Sequence, residues 1–162
     1  MNRYVSIKIV VCFILVGSYF LLPKYGFTFN GDLYNHFIYP FSHANIWHLA
    51  ANCLCLFMLR CPLHLVATYL IAVICSFLPS FSIYDCIVQG GIEALSEPTY
   101  GYSGILFAMV GISWGRIHRF RDMIVRNKWI LIIPAFIPHI NFLIHIYCLL
   151  AGYLYGRYAT RD

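Results

Sequence analysis

The chain has 162 residues, of which 61% are hydrophobic, 18% aromatic and 10% charged. A soluble domain covers itself with about a quarter charged residues, so this composition excludes a soluble globular protein. The net charge of +5 invites a nucleic-acid reading, but the basic residues flank apolar runs instead of sharing one solvated face, so the charge reports membrane topology and no nucleic-acid partner is expected.

A membrane helix takes about 20 residues, which leaves no room for a second, water-soluble unit; residues 1–162 read as one membrane domain. Six apolar windows follow in order: 9–22, 46–59, 63–78, 104–115, 129–140 and 142–155. The first is followed by Pro23, Lys24 and aromatic residues, with no small-residue cleavage pattern, and reads as a retained span. Every window is shorter than a free-standing span, which calls for snorkelling ends, a thinned bilayer or shielding by neighbours. Pro134 and Pro138 break the fifth, predicting a kinked or short helix. Cys12, Cys53, Cys55, Cys75 and Cys148 lie inside apolar runs and read as reduced packing residues.

Positive-inside arithmetic supports six spans with both termini cytoplasmic. Arg3, Lys8, Arg60, Arg116, Arg119, Arg121, Arg126, Lys128, Arg157 and Arg161 then fall inside, and Lys24 alone falls outside. Asp32, Asp85, Glu93 and Glu97 fall outside as well. Two outer connections are long, 24–45 and 79–100. The first is crowded with Tyr25, Phe27, Phe29, Tyr34, Phe37, Tyr39 and Phe41, a composition suited to a segment half-immersed beside the bundle.

Polar residues inside the windows are few and therefore informative, because an ionisable group deep in lipid costs several kcal/mol. The second window holds His48 and Asn52, the fourth is led by Gly101, Tyr102, Ser103 and Gly104, and the sixth holds His145. Under the six-span topology all these windows begin at the outer face, so Ser103, His145, His48 and Asn52 share one layer within two turns of it. Small residues line the fourth window (Gly104, Ala108, Gly111, Gly115) and the sixth (Cys148, Gly152, Gly156) at helical spacing. Packing these faces brings the Ser103 hydroxyl toward the His145 imidazole. A serine hydroxyl needs a base to become a nucleophile, and neutral imidazole is the usual one. With no Asp or Glu in any window, a Ser–His dyad is expected, not a triad. His48 and Asn52, four residues apart on one helix face, suit donation to an oxyanion beside the Ser103 backbone N–H.

Each signal has a blander reading. Ser103 between Gly101 and Gly104 could be a close-packing patch, His48 beside Trp47 an interface anchor, and Asn52 interhelical glue. His43, Tyr102 and Asn141 read as structural residues near the same layer. Seven histidines raise the question of a metal, but His43 and His48, or His139 and His145, are spaced to face different sides of a helix, so neither metal nor cofactor is expected. The basic residues from Arg116 to Lys128 could meet anionic lipid; orientation signalling accounts for them more simply.

Taken together, His48-x-x-x-Asn52 in the second window, Gly101-Tyr102-Ser103-Gly104 opening the fourth and His145 leading the small-residue stripe of the sixth resemble the rhomboid intramembrane serine proteases. The resemblance covers nearly the whole chain and implies an all-α, six-helix rhomboid-like bundle. It implies Ser103 as nucleophile, His145 as base, His48 with Asn52 as the oxyanion site, and Gly101, Gly104 and Gly152 as supporting glycines. It further implies a water-filled cavity open to the outer side, in a plasma or inner membrane of bacterial type, and substrates that are transmembrane segments of other proteins in the bilayer. Two departures stand out: Cys148 where the family often has glycine, and Tyr34-Asn35 where many members have Trp-Arg in the first outer loop. A silent rhomboid-like protein that grips transmembrane helices is the alternative, with a small transporter behind it.

Overall fold

Two asparagines that precede apolar runs start two of the helices. Asn45 accepts a hydrogen bond from the His48 backbone N–H (2.9 Å), and Asn141 accepts one from Ile144 (3.3 Å). Each side chain thus satisfies a donor that the first helical turn leaves orphaned. A computed structural model describes residues 3–59, 64–89, 93–117, 125 and 139–159. Within them lie helices α1 (Arg3–Leu21), α2 (Leu33–Ile38), α3 (Ile46–Met58), α4 (Leu65–Ser76), α5 (Ile83–Gln89), α6 (Ser103–Ile117) and α7 (Phe142–Tyr158). Short 3-10 turns cover Tyr39–Phe41 and Glu93–Ser96. Among the described residues there is no strand, only an isolated antiparallel bridge between Phe27 and Thr99.

Five of the six apolar windows are helices here, with ends that differ by a few residues: α1, α3, α4, α6 and α7. The fifth window, with Pro134 and Pro138, falls almost wholly outside the described residues, as do Arg60, Arg119, Arg121, Arg126, Lys128 and Arg161. One described helix is long and apolar enough to cross a membrane unaided, α1, whose segment Tyr4–Leu21 has a mean hydropathy of 2.1. The other apolar helices are shorter and lean on one another. Lys8 shows how: it is nearly buried, and its ammonium donates to the carbonyls of Phe57 (3.3 Å) and Leu59 at the carboxyl end of α3. A cation there answers the negative end of the helix dipole and ties the start of α1 to the end of α3.

The aromatic-rich first outer connection is more deeply packed than a half-immersed loop. Phe27 and Tyr39 are each 1% exposed and belong to the core, with their rings in edge contact at 4.6 Å. The Tyr39 hydroxyl donates to the Ala72 carbonyl on α4 (3.1 Å). His36, on α2, is stacked on Phe77 and hydrogen-bonded to Ser76 (2.9 Å), and its burial lowers the imidazole pKa from the ordinary value. Leu33, Tyr34 and Phe37 remain outward. The segment is therefore half core and half surface, because its six-residue helix turns one face to α4 and the other away.

Candidate active site

The site is built on one backbone turn. Gly101 has φ +108°, a conformation that costs an L side chain dearly and glycine little. Its N–H donates to the Tyr39 carbonyl (3.0 Å), which fixes the turn against the first outer connection. A Cβ at this position would stand 2.6 Å from His48 Cε1 and 3.3 Å from Asn52 Nδ2. The glycine thus lets the paired side chains of α3 lie directly against the segment that leads into Ser103.

Ser103 is the first residue of α6, so its N–H belongs to the turn whose donors find no helical acceptor, at the positive end of the helix dipole. Asn52 is 4% exposed and its Nδ2 has no hydrogen-bond partner among the described residues. A buried amide donor left open in this way costs stability unless something else uses it. His48, Asn52 and the amino end of α6 therefore converge on one small volume, as the four-residue spacing on α3 anticipates.

From α7, His145 reaches the same place. Its Nε2 lies 2.8 Å from Ser103 Oγ, a hydrogen-bond distance. The imidazole is 6% exposed and stacks flat on Phe107, with ring centroids 4.5 Å apart and an interplanar angle of 7°. Phe107 went unremarked in the sequence; its place four residues after Ser103, hence on the same helix face, was the available signal. His145 Nδ1 is buried and makes no hydrogen bond among the described residues. Among the described residues no carboxylate orients the ring; an aromatic face does.

The two small-residue stripes meet backbone to backbone. A Cβ added at Gly152 would run into the Ala108 carbonyl, at Gly156 into that of Ile112, at Gly111 into that of Leu149 and at Gly115 into that of Tyr153. These contacts run in the same order along α6 and α7, so the two helices are parallel, and Ser103 and His145 stand at the same end. At the top of the seam Gly104 is less tightly closed, with Cys148 Sγ 3.4 Å from where a Cβ would stand. The cysteine fills the gap that a wider approach leaves there.

Of the further sequence candidates, Tyr102 is buried beneath the turn and Asn141 caps α7. His43 and His48 differ from expectation: His43 lies ahead of α3, not on it, and the two rings meet edge to face at 5.3 Å. Burial, with His48 beside it, pushes the His43 imidazole down to about 4. Among the described residues no three His, Cys, Asp or Glu side chains are grouped to hold a metal ion. Asp85, counted among the outer loop acids, is 2% exposed on α5 and accepts from the His139 backbone N–H (2.9 Å). In the departure Tyr34-Asn35, Tyr34 is 57% exposed on α2, with its ring edge-on to Tyr25 at 5.6 Å.

Comparison with known proteins bears on the family of the chain. A family model described as the Rhomboid domain matches residues 30–162, which includes every helix from α2 onward. A protein of Acanthamoeba polyphaga mimivirus, described as a "Putative rhomboid protein", is 25% identical over 163 residues, covering 94% of this chain and 89% of its own. No solved structure matches the chain. A viral relative lends no support to the bacterial membrane expected above. The match to the family model over most of the chain, on an all-helical fold, is decisive for kinship: the protein belongs to the rhomboid family, a family of membrane proteins.

Proposed function

We propose that the protein is an intramembrane serine endopeptidase that cuts transmembrane segments of other membrane proteins. The observation that carries this reading is the 2.8 Å hydrogen bond between Ser103 Oγ and His145 Nε2 at the head of the glycine seam. With its proton on Nδ1, the imidazole accepts the Ser103 proton through Nε2 as Oγ attacks the carbonyl carbon of the scissile peptide. The negative charge that forms on the carbonyl oxygen is met by donors already in position: the Ser103 N–H at the end of the helix dipole, the Asn52 amide and the His48 ring. His145 then returns the proton to the departing amine, leaving an acyl ester on Ser103. In the second half His145 takes a proton from water, the hydroxide attacks the ester, and the proton goes back to Oγ as the acid product leaves.

A dyad suffices because Phe107 holds the ring that a carboxylate holds in soluble enzymes. The reading carries with it six spans, both termini in the cytoplasm and a site beneath the outer face, supported by the one-sided distribution of the basic residues. It needs no cofactor.

The test is a fluorophosphonate or isocoumarin probe applied to purified protein, alongside cleavage of a transmembrane substrate. Labelling that is lost in both Ser103→Ala and His145→Ala is the expected result. Cleavage by Ser103→Ala as fast as by the parent would falsify the assignment. A parent that neither labels nor cuts would point to a silent helix-binding member of the family.

A further inference from the structure

The glycine seam holds α6 and α7 together from Ala108 and Leu149 downward, but Ser103 and His145 stand above its tightest contacts. Something else must fix the two helix tops at hydrogen-bond distance. Asn141 lies one turn before His145, and Thr99 lies four residues before Ser103. The Asn141 amide nitrogen donates to Thr99 Oγ1 at 2.7 Å and to Ser80 Oγ at 3.0 Å, while its oxygen caps Ile144. Both amide hydrogens and the oxygen are thereby used, and the side chain is 8% exposed.

Thr99 is itself anchored. Its backbone exchanges two hydrogen bonds with Phe27, at 2.8 and 3.0 Å, and two residues on, the Gly101 N–H is held by the Tyr39 carbonyl. Ser80 is 6% exposed and follows α4. The loop entering α7 has a second tie where the His139 N–H meets the buried Asp85 carboxylate. One side chain therefore joins the helix of the base, the approach to the nucleophile and the segment that follows α4.

We propose that Asn141 is a positioning residue whose bond to Thr99 sets the separation of Ser103 and His145 from above, touching neither. The bond acts as a rung between two parallel helices already hinged on their glycines, so losing it lets their tops part. Displacement on the order of 1 Å at reacting atoms is enough to cost up to about a hundredfold in rate. The effect falls on turnover, because the rung lies outside the volume where Ser103, His145, His48 and Asn52 converge.

This inference rests on the protease reading, and its test separates the two. Asn141→Ser keeps a capping oxygen but is too short to reach Thr99; Thr99→Val keeps the shape and loses the hydroxyl; Thr99→Ser restores it. Expected are a kcat lowered about tenfold in Asn141→Ser and Thr99→Val with KM unchanged, and recovery to within about twofold in Thr99→Ser. In parallel, the His145 Nε2 resonance of histidine-labelled Thr99→Val should move toward its position in Ser103→Ala, reporting a weakened Ser103 bond without any need for turnover. Parental kcat and an unmoved resonance in Thr99→Val would overturn the role of the rung, as would an equal loss in Thr99→Ser. If the parent shows no turnover, the protease reading falls and the resonance alone decides the rung. Should Asn141→Ser fail to fold, the Thr99 pair carries the test unaided.

Discussion

α1 and the α6–α7 seam are comparably apolar yet use their surfaces in opposite ways. Along Tyr4–Leu21 only 11% of the residues are buried, and Phe13, Phe20 and Leu21 are each at least 70% exposed. In α6 the buried set includes Gly104, Ala108, Gly111 and Gly115, the residues that let a second backbone approach. Lipid tails are as apolar as leucine, so greasy side chains gain nothing by leaving them; helices associate in a bilayer through close packing and hydrogen bonds. Apolar bulk thus brings a helix into the membrane, and smallness decides which neighbour it touches. The polar pair sits where smallness prevails, on helices shorter than α1.

That contrast can be broken or sharpened at several points. The largest effect is expected at the pair itself: Ser103→Ala should remove proteolysis on the order of 10⁶-fold, as for serine nucleophiles elsewhere, with the melting temperature held. An equal loss of melting temperature would mean that the pair serves packing. In the seam, Gly152→Val drives a side chain into the Ala108 carbonyl and should cost about 3 kcal/mol or more, read as a large drop in thermal stability in detergent. If that variant melts with the parent, the close approach of α6 and α7 is wrong. Asn52→Ala removes one open donor and should lower kcat about a hundredfold while KM stays.

Acidification acts at two places. Protonating His145 removes the base, so the rate should fall on acidification, and a rate indifferent to acid down to the loss of the fold would exclude it from that role. His43 acts on stability: its folded value of about 4 lies below the ordinary 6.5, so the unfolded chain takes up the proton first. The stabilisation is complete above about 6.5 and is lost as pH falls toward 4. Melting temperatures across that window should decline less in His43→Gln than in the parent. The smallest effect belongs to α1, where a Cβ at Gly17 meets nothing within 4 Å. Gly17→Ala should be neutral or stabilising by up to about 1 kcal/mol through helix propensity, and a marked loss would show that α1 packs where it now faces outward.

Several features were legible because they are local. An apolar run has a length, and residues four apart share a helix face; these properties delivered α1, α3, α4, α6 and the last helix α7, the pairing of His48 with Asn52 and the two glycine stripes. The family motif tied Ser103 to His145 across 42 positions. The short helices α2 and α5, at six and seven residues, were not legible, since fewer than two turns leave no period to read.

The sequence by itself determined that this is a helical membrane chain with a serine, two histidines and an asparagine set at helix beginnings, because composition and spacing act through neighbours along the chain. Only the tertiary structure decided that Phe107 cradles the His145 ring, that Asp85 is buried, and that Asn141 bridges to Thr99 and Ser80. Those contacts depend on which helix tops come together, and that is set by backbone approach along the glycine seam and by the depth at which the first outer connection packs. A hydrogen bond formed between residues 42 positions apart, such as Asn141 to Thr99, has no local signature to betray it.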